Sequence, residues 1–349
     1  MVEALPALQA SCGVFARKPA TASIGEGALA RPVQDWQKAC AAIASASGDD
    51  VLRATIEANF TALAVAAADT DKSGTGTTGT FTGYYEAELN GSRTKDERHT
   101  VPIYGVPRDL VTVDLSAFVD KLPPAMPRQV VGRVSTGARG QALTPYFTRA
   151  EIDADRAVAD SADALVWVDD PVAAHILHIQ GSGRVALTDG TTLRLSFAGH
   201  NGHRFKGIGS ILLSAGVLKS ATMDNVRTWL REHPAEAAAY MNQNARYIFF
   251  KLGAADGGPI GALGVPLTPQ RSLAVDPRVV PLGAPLWLDT TDPDGHPFRH
   301  LIVAQDTGAA ITGVVRGDVF WGFGETAFTT AARMKSPGRY MVLVPRDPP

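Results

Sequence analysis

Only two cysteines, Cys12 and Cys40, occur in 349 residues. Neither belongs to a CxxC pair or to a Cys/His metal spacing, so the familiar zinc and dithiol motifs are missing. The two read either as buried free thiols or as one disulfide closing a loop of nearly thirty residues. A bridge of that kind would add about 3 kcal/mol and imply an oxidising compartment. Surplus charge is lacking too. Lys and Arg number 33 against 35 Asp and Glu, a net charge of -2, which leaves no basic footprint for nucleic acid or an acidic membrane surface. No run of about 20 apolar residues is present to span a bilayer. The opening MVEALPALQAS has neither a basic n-region nor a long apolar h-region, so no signal peptide is read there. Gln9-Ala10-Ser11-Cys12 makes a poor lipidation box. The Walker phosphate pattern is missing, and no repeat of fixed period appears.

What is present is an ordinary globular composition, 45% hydrophobic and 19% charged, with length enough for two domains. Thirty-four Gly and 23 Pro suit a β-rich protein with many turns. Residues 3–68 read as helical: Glu3 to Lys18, Asp35 to Ala46, and a third helix capped by Asp49-Asp50. A polar Gly/Thr-rich loop, Asp69 to Thr80, follows. At Phe81 the pattern turns to strands, with an Asn90-Gly91 hairpin signal. Thr148-Arg149-Ala150-Glu151 is a boxed helix start. Residues 164–200 read as strongly β. Helices return at 208–240 and short strands from 247 onward.

The stretch Arg299 to Gly324, RHLIVAQDTGAAITGVVRGDVFWGFG, is the most informative. Asp306 ends one apolar strand and Asp318 enters another, both among glycines that let a ligand approach the backbone. Carboxylates set against apolar walls have shifted pKa values and often carry acid/base chemistry. The plain alternative is that they cap turn amides. His175-x-x-His178 and His200-x-x-His203 invite a metal reading. The first pair lies in a strand-like run, where residues three apart face opposite ways, and the second lacks a third ligand, so no metal is expected. No serine or cysteine nucleophile accompanies them. Gln180-Gly181-Ser182-Gly183-Arg184 reads as a turn or as a wall of a polar groove. Tyr84, Tyr85 and Tyr104, with Asn201, Asn244 and Tyr247, form a polar-aromatic inventory that suits a carbohydrate.

The ordered blocks FTGYYEAEL, VPIY, YFTRAEI, LVWVDDP, IQGSGRV, AGHNGH, NARYIFF, GALGVPLTPQRSLAVDPRVVPLG, AQDTGAAITG and RGDVFWGFG together resemble the membrane-bound lytic murein transglycosylase A family. Its C-terminal 3D domain is named for three aspartates, which map to Asp276, Asp306 and Asp318. The resemblance implies a mainly β fold with N-terminal helices. A discontinuous double-ψ β-barrel domain, 1–105 and 240–349, would carry an inserted β-barrel-like domain, 106–239, with a groove between them for a glycan strand. It implies cleavage of the β-1,4 bond between N-acetylmuramic acid and N-acetylglucosamine, leaving a 1,6-anhydro end, with no cofactor. Asp318 would act first as acid and then as base, Asp306 in support, and Asp276 as architecture. Val319, Phe320 and Trp321 would supply an apolar setting for Asp318. Tyr84, Tyr85, Tyr104, Gln180, Ser182, Asn201 and Asn244 become candidate substrate contacts. Peptidoglycan strands are the implied partner, with other murein-synthesising or -degrading enzymes beside them, for a monomer in the periplasm or at the outer membrane. The alternative is a non-catalytic peptidoglycan-binding protein on the same scaffold. Two departures stand out: Ala309 where the family has a second glycine, and His200 where glutamine is usual.

Overall fold

A computed structural model describes residues 1–66, 74–119, 122–123, 126–137, 140–253 and 258–346. The expected polar loop at 69–80 lies outside these residues as far as 73. The chain forms two compact units, Met1–Tyr85 with Asp256–Pro349, and Glu86–Ala255. The divisions fall at 85/86 and 255/256 rather than at 105 and 240. The reason is one long strand, Thr78–Ser92, whose first half pairs within the first unit and whose second half pairs within the second.

Three helices open the first unit. Leu5–Ala16 carries Pro6 in its first turn, where the missing amide has no intrahelical acceptor to lose. Val33–Ala44 follows, then Asp49–Asn59. Gly48 is the N-cap of the third helix. Asp49 and Asp50 lie in its first turn, where the helix dipole favours carboxylates. Cys12 and Cys40 are bonded to each other, tying the first helix to the second. Leu8, Phe15, Trp36, Ile43 and Leu52 from these helices share one core with Leu286, Val303 and Val342 from the strands.

The strands of this unit pair in the order Thr78–Ser92, Arg316–Phe323, Ser272–Ala274, Pro297–Asp306, Pro285–Thr291 and Lys335–Pro345. The last pairs back onto the first through Lys335 with Thr82 and Ser336 with Phe81. The ladder of six strands therefore returns to its starting strand. Ser272–Ala274 runs parallel to Pro297–Asp306 and antiparallel to Arg316–Phe323.

The second unit holds a sheet ordered Val101–Tyr104, Ala164–Val168, the Glu86–Ser92 half-strand, Ser182–Leu187, Thr192–His200 and Ile248–Leu252. A separate three-stranded sheet is formed by Val111–Asp114, Gln129–Gly137 and Gly140–Pro145. Thr148 and Glu151 make the expected capping box on the short helix Arg149–Asp153. Several expectations are overturned. Phe60–Ala64 is a strand rather than the end of the third helix, and Asn90-Gly91 lies inside the strand Thr78–Ser92 rather than in a hairpin turn. Residues 171–180 are not strand but the helix Pro171–Gln180. Asp170 accepts from the amides of Val172 and Ala173, Pro171 takes the first helical position, and Gly181 adopts the left-handed conformation that ends it. Those start and stop signals outweigh an apolar run that reads equally well as a buried strand.

Candidate active site

Asp306, Ala274 and Asp318 lie side by side on three neighbouring strands. Ala274 is in register with Asp306 on its parallel neighbour and with Asp318 on its antiparallel one. The two carboxylates thus share one level of the sheet, separated by a single small residue. The register slips by one residue after Leu273, so that Leu273 pairs with Ala304 and Ala274 with Asp306. Gln305 is the extra residue. A bulge of this kind re-aims the side chains beyond it. Ala304 belongs to the main core, and Gln305 also turns inward, donating to the Ala7 carbonyl at 2.8 Å and to Ser11 Oγ at 3.0 Å. Asp306 is thereby turned to the opposite face, where it meets Tyr84.

Alternation along Arg316–Phe323 sets the rest of the site. Val319 belongs to the main core and Trp321 packs against it, whereas Phe320 joins Tyr84, Leu267, Ala274 and Ile311 in a second cluster. Of the three apolar residues expected around Asp318, only Phe320 lies on its side of the strand. On the Thr78–Ser92 strand, Phe81 likewise faces the main core. Thr82 and Tyr84, two residues apart, face the aspartates.

The hydrogen bonds make the two carboxyls unequal. Asp306 Oδ1 accepts from the backbone N–H groups of Ala262 and Thr307, each at 2.9 Å, and Oδ2 accepts from the Tyr84 hydroxyl at 2.8 Å. Asp318 Oδ1 accepts from the Thr82 hydroxyl at 2.6 Å. Its Oδ2 has no protein partner among the described residues. Thr82 in turn accepts from Arg316 Nη2 at 2.8 Å. Arg316 Nη1 donates to the carbonyls of Thr80 and Gly317. Burial pushes the Asp318 carboxyl up, the Arg316 charge and the Thr82 bond pull it down, and the Asp306 charge pushes it up again; the result is about 6, against an ordinary 3.8. Asp318 as a residue is only partly exposed. Burial also raises Asp306, against its three hydrogen bonds. Burial first, then the Asp306 charge, pushes the Tyr84 hydroxyl well above its usual range, so it remains a neutral donor.

Asp276 does a different job. It is 3% exposed and accepts from the N–H, Nε and Nη2 of Arg278, and from the N–H of Gly313 at 2.9 Å. Burial pushes it up, but these donors outweigh that and hold it below the ordinary value. It fastens the end of the short strand to the loop that leads into Arg316. Ala309 carries no strain: among the described residues only Arg156 and Gln270 have positive φ without being glycine.

The other candidate contacts are placed elsewhere. Tyr85 is buried with its ring 5.2 Å from that of Phe328. Tyr104 is buried in the second unit with Tyr146 and Phe249. Gln180 ends a helix and Ser182 begins a strand, so they do not form the loop after a strand that the sequence suggested. The Asn201 amide donates to the carbonyls of Phe147 and Ala245, and its Oδ1 accepts from Tyr247 N–H, which fits a structural pin. Asn244 accepts from the Lys206 N–H. His200 Nδ1 accepts from the Gly202 N–H, and burial lowers the ring to about 4. His175 and His178 sit on one face of a helix rather than on opposite faces of a strand. Among the described residues no three His, Cys, Asp or Glu side chains are grouped to hold a metal ion. Thr82 and Arg316 escaped the sequence reading. The signal for each was its place two residues from Tyr84 and Asp318, on the same face of a strand.

Two family models match the chain: the MltA specific insert domain over residues 80–251 and the 3D domain over residues 271–344. Membrane-bound lytic murein transglycosylase A of Escherichia coli K12 is 30% identical over 274 residues, which is 75% of this chain and 65% of that protein. The match thus spans a little under two thirds of that relative's length. The crystal structure of MltA from Neisseria gonorrhoeae superposes with a TM-score of 0.80 at 30% identity, covering 100% of this chain and 89% of the other. E. coli MltA with bound chitohexaose gives 0.67 at 26% identity, over 90% of this chain and 83% of that one. With both domain models in order along one chain, and a relative of this identity matched over nearly its whole structure, the chain belongs to the membrane-bound lytic murein transglycosylase A family.

Proposed function

We propose that the chain is a lytic transglycosylase that cleaves peptidoglycan glycan strands, with Asp318 as its one acid and base. The observation that carries this is the state of Asp318: a carboxyl raised to about 6, oriented through one oxygen by Thr82, with the other oxygen free of protein partners among the described residues. In the reaction, protonated Asp318 gives its proton to the glycosidic oxygen as the bond from the muramic C1 breaks. The carboxylate then takes the proton of the C6 hydroxyl as O6 bonds to C1, closing the 1,6-anhydro ring. The proton returns to Asp318 and no water is consumed. The positive charge that develops on the sugar is stabilised by Asp306, whose three donors favour its ionised form. In this reading the six-stranded circuit is the double-ψ β-barrel, Asp276 is architectural, and the protein works on glycan in the periplasm or at the outer membrane. No helix among the described residues is long and apolar enough to cross a membrane. The likeness to a relative solved with chitohexaose supports a glycan ligand.

Mass spectrometry of products from purified sacculi tests the reading. Wild type should release anhydro-muropeptides and Asp318→Asn none. Reducing ends without anhydro product would indicate a hydrolase instead. Binding to sacculi with no released product would indicate a non-catalytic glycan-binding protein.

A further inference from the structure

In the second unit one turn gathers N–H groups that the protein itself leaves unused. The strand Thr192–His200 ends at His200, which pairs with Ile248 on the strand Ile248–Leu252. Asn201 fixes the turn that follows: its N–H donates to the Tyr247 carbonyl at 3.1 Å, and its Oδ1 accepts from the Tyr247 N–H at 2.8 Å. Gly202 has a φ of 82°, and a Cβ there would lie 2.8 Å from the Val131 carbonyl oxygen, so the turn is closed against the strand Gln129–Gly137. Arg246, next to Tyr247, reaches the same turn and donates from Nη1 to the His203 carbonyl at 3.2 Å.

His200 Nδ1 accepts from the Gly202 N–H at 2.9 Å, so the ring proton is on Nε2. Burial first, then the Arg246 charge, lowers this ring to about 4, which makes it a neutral donor near neutral pH. Arg246 has no carboxylate within ion-pair distance among the described residues, and burial alone lowers its pKa. His200 Nε2 and Arg246 Nε and Nη2 have no protein partner among the described residues, and none of the three is shut away from solvent. A ligand can therefore reach them. Arg204 and Lys206, exposed on the same loop, add positive charge. Glu151, whose charge acts on His203, already accepts from the Thr148 N–H and hydroxyl, each at 2.7 Å. A half-buried guanidinium without a counter-ion is costly. Its Nε–Nη2 edge is the fork that takes a carboxylate in two parallel bonds.

We propose that Arg246 and His200 form an anion subsite that holds a carboxylate of the peptidoglycan strand, borne on its lactyl groups or on its peptide stems. The identity of the ligand rests on the glycan reading; the donor set does not. Calorimetric titration of the full chain tests it, in an Asp318→Asn background so that strands are not cut. Three probes are compared: chitohexaose, which has no carboxylate; strands stripped of peptide by an amidase, which carry the lactyl carboxylate alone; and the released stem peptides. Arg246→Gln should weaken binding of a carboxylate probe about tenfold or more and leave chitohexaose binding as it was. It should unfold no earlier than its parent, since it removes a charge that has no counter-ion. A loss with stripped strands identifies the lactyl group, and a loss with the released peptides identifies the stem. His200→Phe should weaken the same probe about fivefold, whereas His200→Gln, which keeps an N–H donor, should bind it as the parent does. Binding of both carboxylate probes undiminished by Arg246→Gln, or no binding of either at about 1 mM, would overturn the subsite. If chitohexaose and stripped strands stay unbound while the stem peptides bind through Arg246, the glycan reading falls and the subsite stands.

Discussion

Replacing Asp318 by Asn tests the electrostatics of the site apart from its chemistry. Asn has the shape of Asp and keeps an oxygen for the Thr82 hydroxyl, which lies 2.6 Å from Asp318 Oδ1. What it removes is the cost of ionising a buried carboxyl. The folded-state pKa is about 6 against an ordinary 3.8. A carboxyl raised by folding favours the folded state fully below 3.8, and that contribution is lost as pH rises through about 6. The displacement of about 2.2 pH units, at about 1.36 kcal/mol each, amounts to about 3 kcal/mol at pH 7.5. At pH 4.5, where the folded carboxyl is still protonated, the same relation leaves only about 1 kcal/mol. Asp318→Asn should therefore be more stable than wild type, and the margin should grow by about 2 kcal/mol between these two pH values. Urea unfolding of both proteins at pH 4.5 and 7.5 measures the margin directly. The same variant should release no anhydro product. A margin equal at the two pH values would mean that the carboxyl is not held above its ordinary range, and the argument for a resting acid would fail with it.

Four further outcomes are expected. Wild-type cleavage should fall about tenfold per pH unit above about 6, as the acid form is lost. Thr82→Val removes a bond that lowers the Asp318 pKa and should move that falling limb up by about one unit, whereas Thr82→Ser should leave it in place; an unmoved limb in the valine variant would rule out the Thr82 bond as a tuning element. Replacing Cys12 and Cys40 together by Ser opens a link across 28 residues and should lower stability by about 3–4 kcal/mol in urea unfolding. A Cβ at Gly83 would lie 2.6 Å from Cδ1 and Nε1 of Trp321 and 2.9 Å from the Ala331 Cα, so Gly83→Ala should cost about 1–3 kcal/mol; a silent substitution would mean that the Trp321 packing yields freely.

Local patterns carried much of the structure. The apolar runs before Asp306 and after Asp318 are strands because each is the right length and rich in β-branched and aromatic residues. The three N-terminal helices and the Thr148 capping box follow from periodicity and caps. The errors have physical causes as well. Residues 172–177 are apolar apart from His175 and suit a buried strand or a buried helix; only the Asp170-Pro171 start and Gly181 stop decide between them. The site depends on contacts far apart in sequence. Thr82 meets Asp318 across 236 residues and Tyr84 meets Asp306 across 222. The one-residue slip at Gln305 leaves no local mark, because Ala304 and Gln305 in succession look like ordinary alternation until the partner strand is known.

In the proposed reaction, that slip would give two chemically identical side chains different tasks. In strict alternation Asp306 would follow Ala304 into the main core. The bulge instead turns it toward Tyr84 and presents both of its oxygens to fixed donors. A carboxylate so saturated is poorly placed to exchange protons, but well placed to hold a charge beside a reacting sugar. Asp318 receives one donor and keeps the other oxygen available. Glycosidases that use water or a covalent intermediate need two working carboxyls. The proposed reaction draws its nucleophile from the substrate itself, at high effective concentration. A single exchangeable proton then suffices, and the saturation of Asp306 becomes an asset, since the charge it keeps helps hold the Asp318 proton in place at rest.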